Sequence, residues 1–331
     1  MANTKGACKG TMKTTIFKGV GTALVTPMNQ DFSINYELFG KLVDYQLENG
    51  CDALVVAGTT GEGSTLEYEE HLELIRYAAE RAGRKIPVIA GAGSSCTAHA
   101  AKLSKEAEKA GADALLQVTP YYNKTSQKGL IQHFSAIAKA TDLPIILYNV
   151  PSRTGVDIAP ETYKTLCEIE NIVAAKEANG NLAHIAKTIM LCGDRLDIYS
   201  GNDDLITPAL SLGAKGVISV LANLLPALVH EQCESFFRGE AKKSAALQLK
   251  YLSLTEALFS DVNPVPIKRA LNEMGIPVGG CRLPLCDMEP AAAKELDLAL
   301  RQHRLYHKYG QNRVCAKTIF AFTQAAYANG K

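Results

Sequence analysis

The chain has 331 residues, 47% of them hydrophobic and 21% charged, with 35 basic against 34 acidic side chains and no tryptophan. That profile fits an ordinary globular protein with a sizeable core, built as two average domains or as one large α/β barrel. A formal charge of +1, with basic residues scattered rather than blocked into runs, provides no global field, so nucleic acid is not an expected partner.

The first fifteen residues, MANTKGACKGTMKTT, carry lysines but no apolar h-region. Their composition reads as disordered, and no stretch of the chain approaches the length of a membrane span, so a cytoplasmic protein with no membrane partner is expected. Nine cysteines, an odd number at irregular spacing with no C-x-x-C pair, read as reduced structural thiols rather than a disulfide framework.

Eight short apolar, β-branched runs then follow at nearly regular intervals: 20–27, 52–58, 86–93, 113–120, 143–151, 171–178, 196–201 and 215–220. Continuous apolar runs suit strands buried on both faces, as in parallel sheets. The intervals carry helix signals. Leu66 to Ala82 opens with Glu67, Glu69 and Glu70, which complement a helix N-terminus, and stops at Gly83. Thr97 precedes an amphipathic run that ends at Gly111. Pro160 sits where an N1 proline belongs, and Asn181 and Asp204 are candidate caps for two further helices.

Strands alternating with helices allow a doubly wound open sheet or a closed (β/α)8 TIM barrel. The count of eight predicts closure. So does the distribution of polar residues, because Thr59, Thr60, Tyr122, Arg153, Lys176, Glu177 and Asn202 all fall at strand C-terminal ends, where barrel active sites are built. After the eighth strand the pattern is helical, over 223–238, about 240–260, 264–274 and 289–305, with NPVPIK (263–268) as the clearest break. The expected organisation is an N-terminal extension (1–15), a barrel (16–235), a C-terminal helical subdomain (236–307) and a C-terminal extension of unassigned role (308–331).

Lys176 lies inside the apolar strand NIVAAKEA, from which an unpaired cation is normally excluded. Desolvation disfavours the charged amine, which would make it a nucleophile toward a carbonyl; a strand-end lysine snorkelling to water or paired with Glu177 is the alternative. The turn AGTTGEGSTL (57–66) offers hydroxyls and backbone N–H groups among glycines, a nest for a carboxylate or simply a glycine-rich turn. It lacks the P-loop pattern, and GAGSS (91–95) lacks the dinucleotide spacing. Tyr121, Tyr122 and Tyr148 sit at strand ends, with Thr59 as a plausible relay partner, or they are ordinary rim tyrosines. Arg153 is either a fork for a substrate carboxylate or a surface ion-pair partner.

The segments GTTGE (58–62), TPYYN (119–123), LYNVPSRTG (147–155), AAKEANGNL (174–182), SGNDD (200–204) and KGVISV (215–220) occur in the order of the motif series that marks the dihydrodipicolinate synthase family. The chain resembles that family from about residue 16 to about 305. The resemblance implies a class I Schiff-base lyase that condenses pyruvate with L-aspartate 4-semialdehyde in the diaminopimelate route to lysine, with no metal or organic cofactor. It implies that Lys176 forms the imine, that Thr59, Tyr122 and Tyr148 form a proton relay, and that Thr60 holds the pyruvate carboxylate. Arg153 would bind the semialdehyde carboxylate, and Gly201 and Ile218 would line the pocket. The family's tyrosine at the place of Tyr122 crosses a dimer contact, which implies a homodimer or a tetramer of dimers.

N-acetylneuraminate lyase and sugar-acid aldolases share the lysine, but Thr59-Thr60 and Arg153 resemble the synthase rather than these relatives. A family pocket for inhibitory lysine would fall at Gly63, Ser64, Tyr68, His71, Ser95, His99 and Tyr121. Ser95 and His99 stand where an Asn and a Glu contact lysine in inhibited members, so weak or absent feedback is expected. A catalytically silent barrel would lack a relay residue, and none is missing. The seven histidines form no ligand cluster apart from His303 and His307, which read as a solvated helix face, so no metal is expected.

Overall fold

The computed structural model describes residues 13–305. Most of the proposed N-terminal extension and all of 308–331 lie outside the described residues. Eight parallel strands close into a barrel in chain order: β1 (Gly19–Ala23), β2 (Ala53–Val56), β3 (Val88–Gly91), β4 (Ala114–Val118), β5 (Ile145–Asn149), β6 (Ile172–Glu177), β7 (Asp197–Ser200) and β8 (Gly216–Ser219). β8 returns to β1 with Val217 beside Val20 and Ile218 beside Gly21, so the sheet has no free edge.

The helices that wrap it are α1 (Tyr36–Glu48), α2 (Tyr68–Ala82), α3 (Thr97–Lys109), α4 (Gln127–Ala138), α5 (Pro151–Thr154), α6 (Pro160–Leu166), α7 (Leu182–Cys192) and α8 (Ile206–Ser211). Local chemistry accounts for their ends. Glu67 and Glu70 close a capping box at the start of α2, and Gly83 takes the left-handed conformation at its end, φ 57°. Asn181 accepts from the N–H groups of Ala183 and His184 at the start of α7.

Asp204 does not cap a helix. A 3-10 turn over Asp203–Leu205 precedes α8, and Asp203 points inward to accept from the N–H groups of Val220 and Leu221 at 2.9 and 3.0 Å. The stretch at 240–260 is likewise two helices rather than one. The C-terminal helices are α9 (Pro226–Phe237), α10 (Ala241–Lys250), α11 (Leu252–Leu258), α12 (Val265–Glu273) and α13 (Pro290–Gln302). The break between α10 and α11 falls at Tyr251, whose ψ of 10° leaves the helical region.

Strand alternation divides the core in two. A smaller cluster inside the barrel includes Val55, Leu116, Ile146, Tyr148, Tyr199 and Ile218, and a larger one fills the space between strands and helices. Phe17, just before β1, stacks on Tyr199 with ring centroids 4.2 Å apart and closes the lower end of the barrel. The C-terminal helices reach the opposite rim through a buried ion pair, Lys268 Nζ to Glu62 Oε1 at 2.7 Å. Arg282 reinforces this contact with a fork to Glu70 at 2.6 and 2.7 Å.

Candidate active site

Lys176 is the penultimate residue of β6, and alternation sends it and Glu177 to opposite faces of the sheet. Its residue exposure is 6%, and its Nζ stands 4.2 Å from the centroid of the Tyr148 ring, the neighbouring residue in register on β5. Among the described residues no carboxylate comes within ion-pair reach of Nζ. A buried lysine held over an aromatic face, with no counter-ion, differs from the surface-lysine alternative on every count.

Glu177 points outward, away from Lys176. It accepts from Asn149 Nδ2 at 2.9 Å, from Tyr163 Oη at 2.9 Å and from the N–H of Asn179 at 3.1 Å. Burial nevertheless pushes its carboxyl up to about 7, the three donors opposing the shift. His184, isolated in the sequence, comes beside it: ligating atoms of Asp157, Glu177 and His184 lie within 4.8 Å of one another. The expectation of no histidine cluster is corrected to that extent. Both Glu177 oxygens are already engaged by protein donors, which makes this a polar network behind the strand. His303, the described member of the other pair, stacks on Tyr251 at 4.8 Å rather than facing solvent freely. His307 lies outside the described residues.

The space around Lys176 depends on a missing side chain. A Cβ on Gly201, just after β7, would stand 3.2 Å from Cε of Lys176 and 2.6 Å from Cβ of Ala178. Ile218 on β8 is buried in the same interior cluster as Tyr148. Asp203, also buried, has its carboxyl pushed up by desolvation, against donors from Ser219, Leu221 and Val220 and the charge of Lys176.

The turn after β2 is tightly folded. The N–H of Glu62 donates to Thr59 O at 3.1 Å and that of Gly63 to Gly58 O at 3.0 Å. A Cβ on Gly63 would meet Ala57 O at 2.0 Å, so this glycine is required for the fold of the turn. The N–H groups of Thr59 and Thr60 have no backbone acceptor among the described residues, which leaves them available to an anion. Thr60 is buried, and its Oγ1 accepts from Asn263 Nδ2 at 3.0 Å, so its own hydroxyl hydrogen is free to donate. Asn263 also accepts from Nη2 of Arg153 through its carbonyl at 3.4 Å. It thus touches two of the expected binding residues. In the sequence it is only part of a helix break, and no motif marks it.

Arg153 lies on α5, a single helical turn opened by Pro151 and closed by Gly155 at φ 69°. Thr59, Tyr148 and Arg153 line a cavity of about 720 Å³ that extends past Gly63, Ser64, Tyr68, His71, His99 and Tyr121. Ser95 is not among its lining residues; its carbonyl accepts from Asn123 Nδ2 at 2.9 Å. Lys102, which no motif singles out, joins the wall with Nζ 4.7 Å from the Tyr68 ring centroid. Among the described residues no carboxylate lines this cavity. His71 holds Gly91 O at 2.6 Å through Nε2, and burial lowers its affinity for a second proton. Tyr122 is not brought to this site within the chain: it is 94% exposed, at φ 69°.

Residues 16–303 match the Dihydrodipicolinate synthetase family. The chain is similar to the 4-hydroxy-tetrahydrodipicolinate synthase of Lachnoclostridium phytofermentans, 55% identical over 282 residues that cover 85% of this chain and 96% of that protein. It is also similar to the solved dihydrodipicolinate synthase of Thermotoga maritima, with a TM-score of 0.86 and 43% identity over 88% of this chain and all of that one. A solved monomeric variant of a dihydrodipicolinate synthase superposes with a TM-score of 0.85 at 43% identity, covering 88% of this chain and 98% of that one.

Proposed function

The chain belongs to the Dihydrodipicolinate synthetase family, and from that premise we propose that it is a lyase that condenses pyruvate with L-aspartate 4-semialdehyde in the diaminopimelate route to lysine. The observation that carries the assignment is Lys176, buried inside the barrel over Tyr148 with no counter-ion among the described residues. Neutral Nζ adds to the ketone carbon of pyruvate, and loss of water leaves an imine. The imine is itself the electron sink. A methyl proton leaves as the enamine forms, and the enamine carbon attacks the aldehyde. The semialdehyde amine then displaces Nζ from the imine carbon, which closes the ring and returns the lysine.

The remaining roles follow from placement. Thr60 donates its hydroxyl to the pyruvate carboxylate, beside the free N–H groups of the turn, because Asn263 occupies its acceptor side. Tyr148 and Thr59 carry protons to and from the reacting carbons, and Arg153 takes the carboxylate of the second substrate with its fork. Gly201 and Ile218 shape the space around Nζ. Tyr122 serves the site of a second copy: its ring is 94% exposed, a large cost in unburied apolar surface unless a partner covers it. A solved relative described as a monomeric variant accords with a dimer or a dimer of dimers here. The C-terminal helices form the subdomain that clamps the turn after β2. Among the described residues no helix is long and apolar enough to cross a membrane.

Feedback by lysine is weak or absent. The cavity beyond Thr59 presents Lys102 and no carboxylate among the described residues, so a ligand ammonium meets like charge and no counter-ion. Low-millimolar lysine should leave the rate unchanged, and strong inhibition would overturn this reading. For the activity itself, pyruvate with borohydride should add one reduced pyruvate to the intact mass, placed on Lys176 by peptide mapping. An adduct that persists in Lys176→Ala refutes the nucleophile. Turnover with sugar aldehydes but not with aspartate semialdehyde refutes the second substrate.

A further inference from the structure

The outer face of the sheet, directly behind Lys176, carries a buried polar cluster that the catalytic reading does not use. In the β5–β6 register Tyr148 pairs with Lys176 and Asn149 with Glu177, so alternation sets the first pair inside the barrel and an amide–carboxyl pair behind it. Asn149 is fully buried; its Nδ2 donates to Glu177 Oε1 at 2.9 Å and to Asp157 Oδ1 at 2.6 Å, and its Oδ1 accepts from the N–H of Ile158 at 3.1 Å. The main chain ties in the next strand at the same level. The carbonyl of Glu177 accepts from the N–H of Gly201 at 2.7 Å, and that of Asn149 from the N–H of Ala178 at 2.9 Å. Glu177 therefore joins β5, β6 and the turn after β7 one residue away from Lys176.

One atom in this cluster lacks a partner. Nε2 of His184, on α7, is buried without a hydrogen bond in a side chain only 10% exposed, and it stands 3.5 Å from Glu177 Oε2. A carboxylate oxygen and a bare imidazole nitrogen facing each other in a buried site are two acceptors with nothing between them, which is costly. A single proton between them satisfies both. The surroundings favour one such proton and not two. Burial pushes the Glu177 carboxyl up, and burial lowers the affinity of His184 for a second proton against the charge of Asp157, the Ile158 carbonyl and the charge of Glu161. Facing the pair are Tyr163 and Glu161 from α6, Lys187 and Cys192 from α7, and Asp157 from the loop before α6. Tyr163 keeps its proton and donates it to Oε2 at 2.9 Å, and Glu161 is paired with Lys187 at 2.6 Å on the surface.

We propose that Glu177 and His184 hold one proton between Oε2 and Nε2, and that this neutral bridge is a positioning device that fixes Lys176 over Tyr148 from outside the barrel. The inference rests on Lys176 being the imine-forming residue. With the proton in place, α7 is bonded to β6, β6 to β5 through Asn149, and α6 to both through Tyr163. When the proton leaves, Oε2 and Nε2 repel each other. The end of β6 then shifts, because among the described residues Lys176 has no counter-ion on the inner side to hold it. Glu177 is raised to about 7, so the bridge is present below that pH and lost above it.

The test follows imine formation against pH in the full chain. Pyruvate is trapped with cyanoborohydride, which reduces iminium ions from mildly acidic to mildly basic pH, and the rate of adduct formation at Lys176 is read from intact mass and peptide mapping. Glu177→Gln puts a non-titrating N–H in the place of the shared proton. The ratio of parent to Glu177→Gln rates should be near one below about pH 6 and fall about threefold by about pH 8.5. Glu177→Ala should trap about tenfold more slowly at every pH while circular dichroism shows the fold retained. His184→Phe removes the acceptor for the proton, so the fall should move to lower pH. Parallel profiles for parent and Glu177→Gln would overturn the bridge, as would a Glu177→Ala chain that traps at the parental rate. A divalent metal retained through dialysis by the parent and lost in His184→Phe would also overturn it, because a metal and not a proton would then join the two groups. A parent that forms no adduct at Lys176 at any pH refutes the nucleophile and the bridge with it, whereas normal trapping with parallel profiles refutes the bridge alone.

Discussion

Lys268→Met is expected to be among the most damaging substitutions outside the barrel interior. Lys268 Nζ bonds Glu62 Oε1 at 2.7 Å and the carbonyls of Thr26 and Gly280, and the two side chains of the ion pair are 2% and 0% exposed. Without the ammonium, Glu62 keeps, among the described residues, only the Arg282 N–H as a side-chain partner, at 2.9 Å on its other oxygen. Removing one partner of a buried pair costs about 3–5 kcal/mol, because the remaining charge is neither solvated nor compensated. At about 2 °C per kcal/mol for a chain of this size, the melting midpoint should fall by about 6–10 °C. Thr60 lies two residues from Glu62 in the same turn, so KM for pyruvate should rise as well. The double variant Glu62→Gln with Lys268→Met removes the stranded charge and should recover most of the loss. Paired thermal melts and pyruvate titrations of the three proteins decide the matter. A Lys268→Met midpoint within about 2 °C of the parent, or a double variant no more stable than the single, would refute the argument that the unpaired carboxylate is what destabilises the turn.

Three further outcomes are expected. Asn263→Ala removes the side-chain donor to Thr60 but keeps the backbone carbonyl that accepts from Arg153, and should lower kcat/KM for pyruvate by roughly tenfold, at about 1–1.5 kcal/mol for a lost hydrogen bond, with little change in melting; steady-state kinetics in pyruvate would show it, and a loss confined to stability would sink the positioning role. Gly201→Ala puts a methyl 3.2 Å from Cε of Lys176, so borohydride trapping of pyruvate should slow markedly while the fold, followed by circular dichroism, is retained. Glu177, pushed up to about 7 from an unfolded value near 4.5, binds more protons folded than unfolded between those pH values. Its contribution is therefore fully present below about pH 4.5 and lost as pH rises through about 7. Relative to Glu177→Gln, the parent should lose up to about 3 kcal/mol across that window, because a tenfold change in proton activity is worth about 1.4 kcal/mol to a group protonated in only one of the two states. Urea midpoints measured from pH 5 to 8 would show the gap widening, and parallel curves would contradict it.

Much of the site was readable because barrel strands are local, repetitive objects. Each catalytic candidate sits at the end of an apolar run, and a polar residue there is conspicuous whatever surrounds it. Lys176 stands out for that reason, and its outward neighbour Glu177 is separated from it by strand alternation alone. The failures are equally physical. Asp204 has the side chain of a helix cap, but Asp203 finds two buried N–H donors near β8, and that long-range bond sets the start of α8. Tyr251 carries no breaker signal, yet the chain leaves the helix there to form α11.

What the sequence determined by itself was the periodic part of the protein: eight strands, their helices, the glycines that a tight turn requires, and the residue types set at the strand ends. Those depend on short-range sterics and on the alternation of burial, both of which are written in neighbouring residues. Only the tertiary structure decided which distant groups meet. Asn263 reaches Thr60 across 203 positions of chain and Lys268 reaches Glu62 across 206. Such contacts arise from the closure of the barrel and the docking of the C-terminal helices on its rim. No local pattern encodes them, because their energy comes from groups that become neighbours only when the sheet has closed.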